Sequence, residues 1–137
     1  MLETALVLMV FLTLVLGMVD LGIGVFRHHQ VAQAARQGAR RAIVHGSLAD
    51  RLGPWGPDAY AAPAAEDDHP IAAVIRPSLV GMDLDEVAIE VTWPDGGNQM
   101  QDRVRVLVTA PYRPVITFIF GNPTITLRGE STMYIAH

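Results

Sequence analysis

The sequence contains no cysteine, and it contains no proline before Pro54. Without cysteine the chain has neither a disulfide framework nor a thiol nucleophile. Without proline, nothing in the first 53 residues forces a helix to break. Charge is also scarce at the start, since no charged side chain occurs from Thr4 to Val19. These absences allow one long, uninterrupted helix at the N-terminus.

The first apolar run is long enough to cross a membrane. Nearly every side chain from Thr4 to Val19 is apolar, Asp20 interrupts the run, and residues 21–26 are apolar again. About 20 apolar residues in a helix span the roughly 30 Å of hydrocarbon in a bilayer. The run therefore predicts a transmembrane-type helix. Its small residues would let a second helix backbone approach closely: Gly17, Gly22 and Gly24.

The helical pattern continues beyond the apolar run as an amphipathic segment that reaches Ile43. Val31, Ala35, Ala39 and Ala42 recur with the 3.6-residue period of one helix face. A single helix to Ile43 would be about 60 Å long, twice the bilayer core. The sequence thus predicts three parts: a transmembrane and assembly half-helix (1–26), an amphipathic half of the same helix (27–46) and a small domain (47–137).

The third part has the composition of a small α+β domain. Residues 50–68 are rich in Pro, Gly, Ala and Asp and predict an exposed loop without a long element. A short helix should follow, capped by Asp67 or Asp68 with Pro70 in its first turn.

The rest of the domain alternates between apolar and polar residues and predicts strands. The runs at 87–93, 104–110 and 124–135 indicate three or four antiparallel strands, with a bulge at Gly129. The apolar segment 115–120 is predicted to form a short helical turn or a covered loop. One face of the sheet must be covered, and the amphipathic half-helix is the predicted cover.

Motifs of catalysis and metal binding are missing from the sequence. The five histidines lack metal-ligand spacing, the serines lack a nucleophile-elbow context, and no glycine-rich phosphate loop follows a strand. Acidic loop residues such as Asp83, Asp85 and Glu86 are expected to be solvated, with calcium binding as the alternative. We therefore predict a protein that is not an enzyme, with no metal, no cofactor and no nucleic-acid partner.

Glu3 is the charged residue that needs an explanation. A carboxylate at the edge of a membrane helix can lie at the level of the lipid headgroups, whereas one inside hydrocarbon costs about 2.5–3.5 kcal/mol on insertion scales and needs a partner. The sequence alone leaves both positions open.

Several runs of sequence together carry a family resemblance: Leu2-Glu3-Thr4-Ala5-Leu6-Val7-Leu8, Val19-Asp20-Leu21-Gly22, Gln33-Ala34-Ala35-Arg36-Gln37-Gly38-Ala39-Arg40, Val104-Arg105-Val106, Pro111-Tyr112-Arg113-Pro114, and 125–127 with 131–133. They resemble TadE-like proteins of the tight-adherence (Tad/Flp, type IVc) pilus. The resemblance covers both ends of the chain and leaves residues 50–68 unmatched.

The resemblance implies a minor pilin or pseudopilin that is held in the cytoplasmic membrane with its domain outside and then built into a surface pilus that serves adhesion. Its implied partners are other pilin subunits, a prepilin peptidase and the pilus assembly platform. Glu3 would pair with the amino terminus of a neighbouring subunit. Side chains along the same helix would pack against neighbouring helices: Val7, Phe11, Val15, Gly17 and Gly22.

The position of Glu3 departs from the family pattern, in which the glutamate is fifth in the mature chain rather than third. Two further residues and a basic leader upstream would restore that spacing. They would also reverse the orientation that the arginines after the apolar run indicate by the positive-inside rule, which otherwise places the domain in the cytoplasm.

Two other functions fit the same sequence. The chain could be a single-span, membrane-anchored extracytoplasmic binding protein, with Trp55, Tyr60 and Trp93 as candidate contacts, although core or anchoring roles suit these aromatic residues better. It could also be the bulk structural subunit of a filament, which differs from a minor pilin only in stoichiometry.

Overall fold

The computed structural model describes residues 2–49, 51–66, 68–115 and 123–136. The described elements are, in chain order, α1 (Leu2–Ala42), β1 (Tyr60–Pro63), α2 (Pro70–Ile75), a 3₁₀ turn (Arg76–Ser78), β2 (Ala88–Thr92), β3 (Arg103–Tyr112) and β4 (Ile125–Tyr134). The four strands form one antiparallel sheet in the order β1-β2-β3-β4. The predicted α+β class, with a long N-terminal helix and a small antiparallel sheet, is confirmed.

Helix α1 uses its second half to cover one face of the sheet. The predicted stripe is buried there, with Val31, Ala35 and Ala39 fully inaccessible and Ala42 nearly so. Mostly small residues on this stripe let the helix lie close to β3 and β4. The hydrophobic core between helix and sheet also takes in α2, through Ile71 and Ile75.

Strand β3 lies antiparallel to the helix that covers it. Its alternate residues from Val104 to Tyr112 are buried, as the period of two requires. Val106 lies beside Gly38 of α1, whereas Tyr112 lies beside Gly24. The end of the sheet where β3 stops and β4 starts is therefore turned towards the N-terminal, apolar half of α1.

Gly129 does not mark a bulge, which corrects the sequence prediction. It pairs in register with Val108, and the ladder between β3 and β4 is regular from Arg103 to Tyr112. A Cβ atom at Gly129 would lie 2.5 Å from the backbone oxygen of Val31. Glycine is present because the backbone of α1 crosses β4 there in direct contact.

Two further details differ from the sequence prediction. The segment predicted as a loop contains strand β1, which pairs with β2 at the sheet edge. Helix α2 is capped by His69 rather than by Asp67 or Asp68: the Nδ1 atom of His69 accepts a hydrogen bond from the N–H of Ile71. Pro70 does occupy the first turn. The prediction for segment 115–120 falls on residues of which only Val115 lies in the described part.

Candidate assembly helix and its junction with the domain

The N-terminal half of α1 is apolar and exposed in the single chain. Val7, Phe11 and Val15 follow one another at four-residue intervals and keep 62%, 59% and 40% of their surface accessible. Within the described residues one helix, Glu3–Ala42, is long and apolar enough to cross a membrane. Apolar surface costs about 25 cal/mol per Å² in water, so this half requires lipid or other helices around it.

The other predicted assembly residues lie on the same helix with different surroundings. Glu3 is exposed in the first turn of α1, where a carboxylate interacts favourably with the helix dipole. A Cβ atom built at Gly22 would have no atom within 4 Å, so this position faces away from the domain. Gly17 is half-buried and borders the groove described below. The described chain brings no second residue to Glu3.

Asp20 is held by a tyrosine from the sheet. The hydroxyl of Tyr112 lies 2.6 Å from Oδ1 of Asp20 and 2.8 Å from the Asp20 backbone oxygen. Asp20 is only 6% exposed and Tyr112 only 5%. A hydrogen bond to a buried carboxylate lowers the cost of placing that charge within an apolar run. The contact therefore explains how a charged residue is accommodated in the middle of α1.

The ring of Tyr112 is enclosed by α1 as well. A Cβ atom at Gly24 would lie 3.2 Å from Cε1 of Tyr112, so glycine leaves room for the ring. The guanidinium carbon of Arg27 lies 5.5 Å from the ring centroid, a cation–π distance. Burial, followed by the hydrogen bond and charge of Asp20, raises the pKa of Tyr112 to about 12. The hydroxyl of Tyr112 therefore stays protonated, which it must be in order to donate a hydrogen bond to Asp20.

An apolar groove of about 770 Å³ lies between the middle of α1 and this end of the sheet. Its walls are almost entirely apolar, and they include Leu14, Met18 and Leu21 from the helix and Ile125 and Leu127 from β4. The groove continues the apolar surface of the helix onto the domain, with His28 among its few polar lining residues.

The aromatic residues considered as partner contacts have structural roles. Trp55 is buried and stacks on His45, with ring centroids 4.0 Å apart, and His69 meets it edge-on. Tyr60 packs against His69 at 4.7 Å. Trp93 is likewise buried. The anchoring interpretation of these residues fits the structure better than a partner contact.

The acidic residues considered for calcium are also engaged within the domain. Asp83 accepts from the backbone N–H of Asp85, and Glu86 pairs with Arg113 at 2.9 Å. Asp95 pairs with Arg103 at 2.7 Å, and hydrogen bonds from Arg103 lower the pKa of Asp95 to about 2. Within the described residues no group of three or more His, Asp or Glu side chains converges as a metal site would.

A long apolar helix that a small antiparallel domain covers only on its second half is consistent with a membrane-anchored protein. The model of the TadE-like protein family matches residues 1–40, which is almost all of α1. The resemblance predicted from the N-terminal motifs is therefore confirmed over this segment, and it is consistent with a protein of the Tad pilus. No curated protein and no solved structure matches the chain.

The family is a structural, pilus-associated one and is not known for enzymatic activity. The helix and the family match are together consistent with a membrane-anchored pilus protein.

The junction between Asp20 and Tyr112 is the feature that sequence analysis did not find. The sequence shows Asp20 as a charge in an apolar run and Tyr112 within a Pro-Tyr-Arg-Pro segment. A buried charge in such a run requires a polar partner, and that requirement is the signal that could have indicated the contact. No spacing rule connects residues so far apart in the chain.

Proposed function

We propose that this protein is a non-enzymatic, pilin-like subunit of a Tad-type pilus that serves surface adhesion. Helix α1 holds it in the cytoplasmic membrane, domain outside, and later packs it into or beneath the pilus. The observation that carries this proposal is the exposed apolar half of α1, continuous with the half that bears the domain and matched by the TadE-like family model.

In this proposal the parts of the chain have separate tasks. Residues 1–26 contact lipid first and neighbouring subunits later, residues 27–46 carry the sheet, and residues 47–137 form the outward domain. On assembly Val7, Phe11 and Val15 pass from lipid to the surfaces of neighbouring helices. Gly17 and Gly22 allow those helices to approach closely.

Glu3 is proposed to form an ion pair with the amino terminus of an adjacent subunit. The charge is tolerated at the headgroup level before assembly, and it must be neutralised once surrounded by apolar helices. The position of Glu3 in the first, exposed turn of α1 supports this role. A prepilin peptidase would create the amino terminus, and the assembly platform would bring the two subunits together.

The test is Glu3→Ala, with Glu90→Ala as the matched control, because Glu90 is an exposed glutamate on β2 far from the apolar half of α1. Extraction of membranes with carbonate reports insertion, and immunoblotting of sheared filaments reports incorporation. We expect both variants to insert normally and only Glu3→Ala to be lost from filaments. Equal incorporation of the two variants would remove the proposed role of Glu3.

Mass spectrometry of the same filaments separates this function from its alternatives. A processed but scarce chain is a minor pilin, and an abundant one is the bulk subunit. A chain that stays in the membrane fraction and never enters filaments is a single-span binding protein, and that outcome contradicts the proposal.

A further inference from the structure

The contact between Asp20 and Tyr112 fixes the position of the domain along the axis of α1. Tyr112 is the last residue of β3, and its hydroxyl binds Asp20. Ile125, the first residue of β4, pairs with Tyr112. The end of the sheet formed by β3 and β4 therefore lies at the level of residues 20–25 of the helix.

The charges on α1 indicate where the bilayer lies relative to that level. Between Glu3 and Arg27 the only charged residue is Asp20, which Tyr112 satisfies. Residues 4–26 cover about 34 Å at 1.5 Å per residue, close to the roughly 30 Å of a hydrocarbon core. The guanidinium carbon of Arg27 lies 5.5 Å from the centroid of the Tyr112 ring, so the change from hydrocarbon to the headgroup layer on the domain side falls between Asp20 and Arg27. Asp20 lies seven residues, or about 10 Å, from Arg27 along the helix.

This end of the domain has exposed apolar side chains next to an exposed ion pair, Arg113–Glu86, which suits the headgroup layer. Val115 and Ile125 are 67% and 48% exposed, and Leu21 and Val25 are exposed on the helix. These four residues are here called the membrane-facing rim. Leu21, Val25 and Ile125 line the apolar groove, as does Pro114, the residue before Val115, and the groove surface runs into the exposed half of α1. Exposure of these apolar side chains to water would be unfavourable. At the bilayer level that the charges on α1 indicate, they would contact lipid instead.

The opposite end of the domain lies beside the C-terminus of α1, away from the apolar half of the helix. The backbone of Ala136 binds that of Ile43, and the backbone of Ser47 binds that of Asn98. This end therefore lies beside the C-terminus of α1, about 35 Å along the helix from Asp20. Met100 is exposed there and provides a reference point away from the membrane.

We propose that the membrane-facing rim is a lipid-binding surface that seats the end of the sheet in the interfacial layer of the bilayer before the subunit is assembled. The inference rests on the membrane-anchored state of the proposed function. Lipid, rather than a second subunit, is the occupant because the rim is continuous with the membrane-spanning surface and lies at the level where that surface leaves the hydrocarbon.

The absence of cysteine makes the test direct, since one introduced cysteine labels one site. The full chain is placed, one copy per nanodisc, in phosphatidylethanolamine–phosphatidylglycerol bilayers. Nitroxide labels are attached separately to Val115→Cys, Ile125→Cys, Val80→Cys, Met100→Cys and Val7→Cys. Electron paramagnetic resonance then compares accessibility to oxygen, which enters lipid, with accessibility to a polar nickel chelate, which stays in water.

The proposal predicts a graded result. Val7 should favour oxygen over the chelate by on the order of tenfold relative to Met100, because the hydrocarbon excludes water, and Val115 and Ile125 should follow Val7 rather than Met100. Val80 should give an intermediate ratio, since its backbone is held by Gln30, three residues beyond Arg27. Fluorescence of Trp55 and Trp93 confirms that each labelled domain is folded.

Three outcomes would overturn the proposal, and they differ from one another. If Val7 favours oxygen while Val115 and Ile125 resemble Met100, the rim does not contact lipid although the anchor is intact. If Val7 also resembles Met100, the membrane anchor itself fails, and the proposed function fails with it. If the rim labels are shielded only when two copies share a nanodisc, the rim is an interface between subunits.

Discussion

The hydroxyl of Tyr112 contacts both the carboxylate and the backbone oxygen of Asp20, a residue 92 positions earlier in the chain. This contact joins the apolar helix to the sheet at the point where the helix leaves the domain. It satisfies the charge within the apolar run and prevents the sheet end from separating from α1. The domain is thereby attached to its anchor along a rigid surface rather than through a linker.

We predict that Tyr112→Phe destabilises the domain by about 1.5–3 kcal/mol, the usual contribution of a hydrogen bond to a charged group. The carboxylate of Asp20 would lose its phenol donor in a buried position. Urea denaturation of the detergent-solubilised chain, followed by the emission of Trp55 and Trp93, measures the change. Tyr134→Phe is the control because Tyr134 is 69% exposed. Equal midpoints for the two variants would contradict the role of the junction.

The elements that could be predicted from sequence are those whose signals are local. The stripe from Val31 to Ala42 follows helical periodicity, and β3 follows strict alternation, so both were correctly assigned. Strand β1 was missed because it has four residues, ends in Pro63 and depends on pairing with β2 for its existence. Local propensity contains little information about such an edge strand.

The errors at Gly129 and at the start of α2 have the same origin. A glycine within a strand indicates either a bulge or the close approach of another backbone, and only the packing of α1 distinguishes the two. The capping residue of α2 is His69 because its ring is held by Trp55 and Tyr60, which come from elsewhere in the chain. The contact between Asp20 and Tyr112 is likewise fixed by tertiary structure alone.

Gly129→Ala should destabilise the domain by about 1–3 kcal/mol, the usual cost of overpacking. The added methyl group would meet the backbone of α1, with the carbonyl carbon of Val31 at 2.7 Å and Cα of Ala32 at 2.8 Å. Backbone atoms of a helix cannot move aside as a flexible side chain can. The denaturation midpoint measures the loss, and Gly22→Ala, in open surroundings, should show none. An unchanged midpoint for Gly129→Ala would show that α1 and β4 are farther apart.

The stability of the domain should fall as the pH drops below about 6.5, in part because of His69. Burial, and then the nearby charge of His45, lower the pKa of His69 from its ordinary value of 6.5. The unfolded chain then binds a proton at a pH where the folded chain does not, so stability is lost between 6.5 and the lowered pKa. Above pH 6.5 both states are neutral at this residue, and its contribution is constant.

The variant His69→Asn tests this pH dependence. Asparagine retains a side-chain acceptor suited to the N-cap of α2 but does not titrate. Its denaturation midpoint should change less between pH 7.5 and 5.5 than that of the parent chain, even if it is lower throughout. If the denaturation midpoints of both proteins change equally between pH 7.5 and 5.5, the acid sensitivity is caused by groups other than His69.

Gly22 and Gly24 lie two residues apart on α1, and replacing each by leucine should have opposite consequences. A side chain at Gly24 would push against Tyr112, 3.2 Å from the new Cβ, so Gly24→Leu should lower domain stability by about 1–3 kcal/mol. Gly22 faces open space, so Gly22→Leu should leave the denaturation midpoint in detergent unchanged. If Gly22 packs against a neighbouring helix in the pilus, the same leucine should reduce incorporation into sheared filaments, measured by immunoblotting. Normal incorporation of Gly22→Leu would exclude this face of α1 from the assembly interface, whatever the result at Gly24.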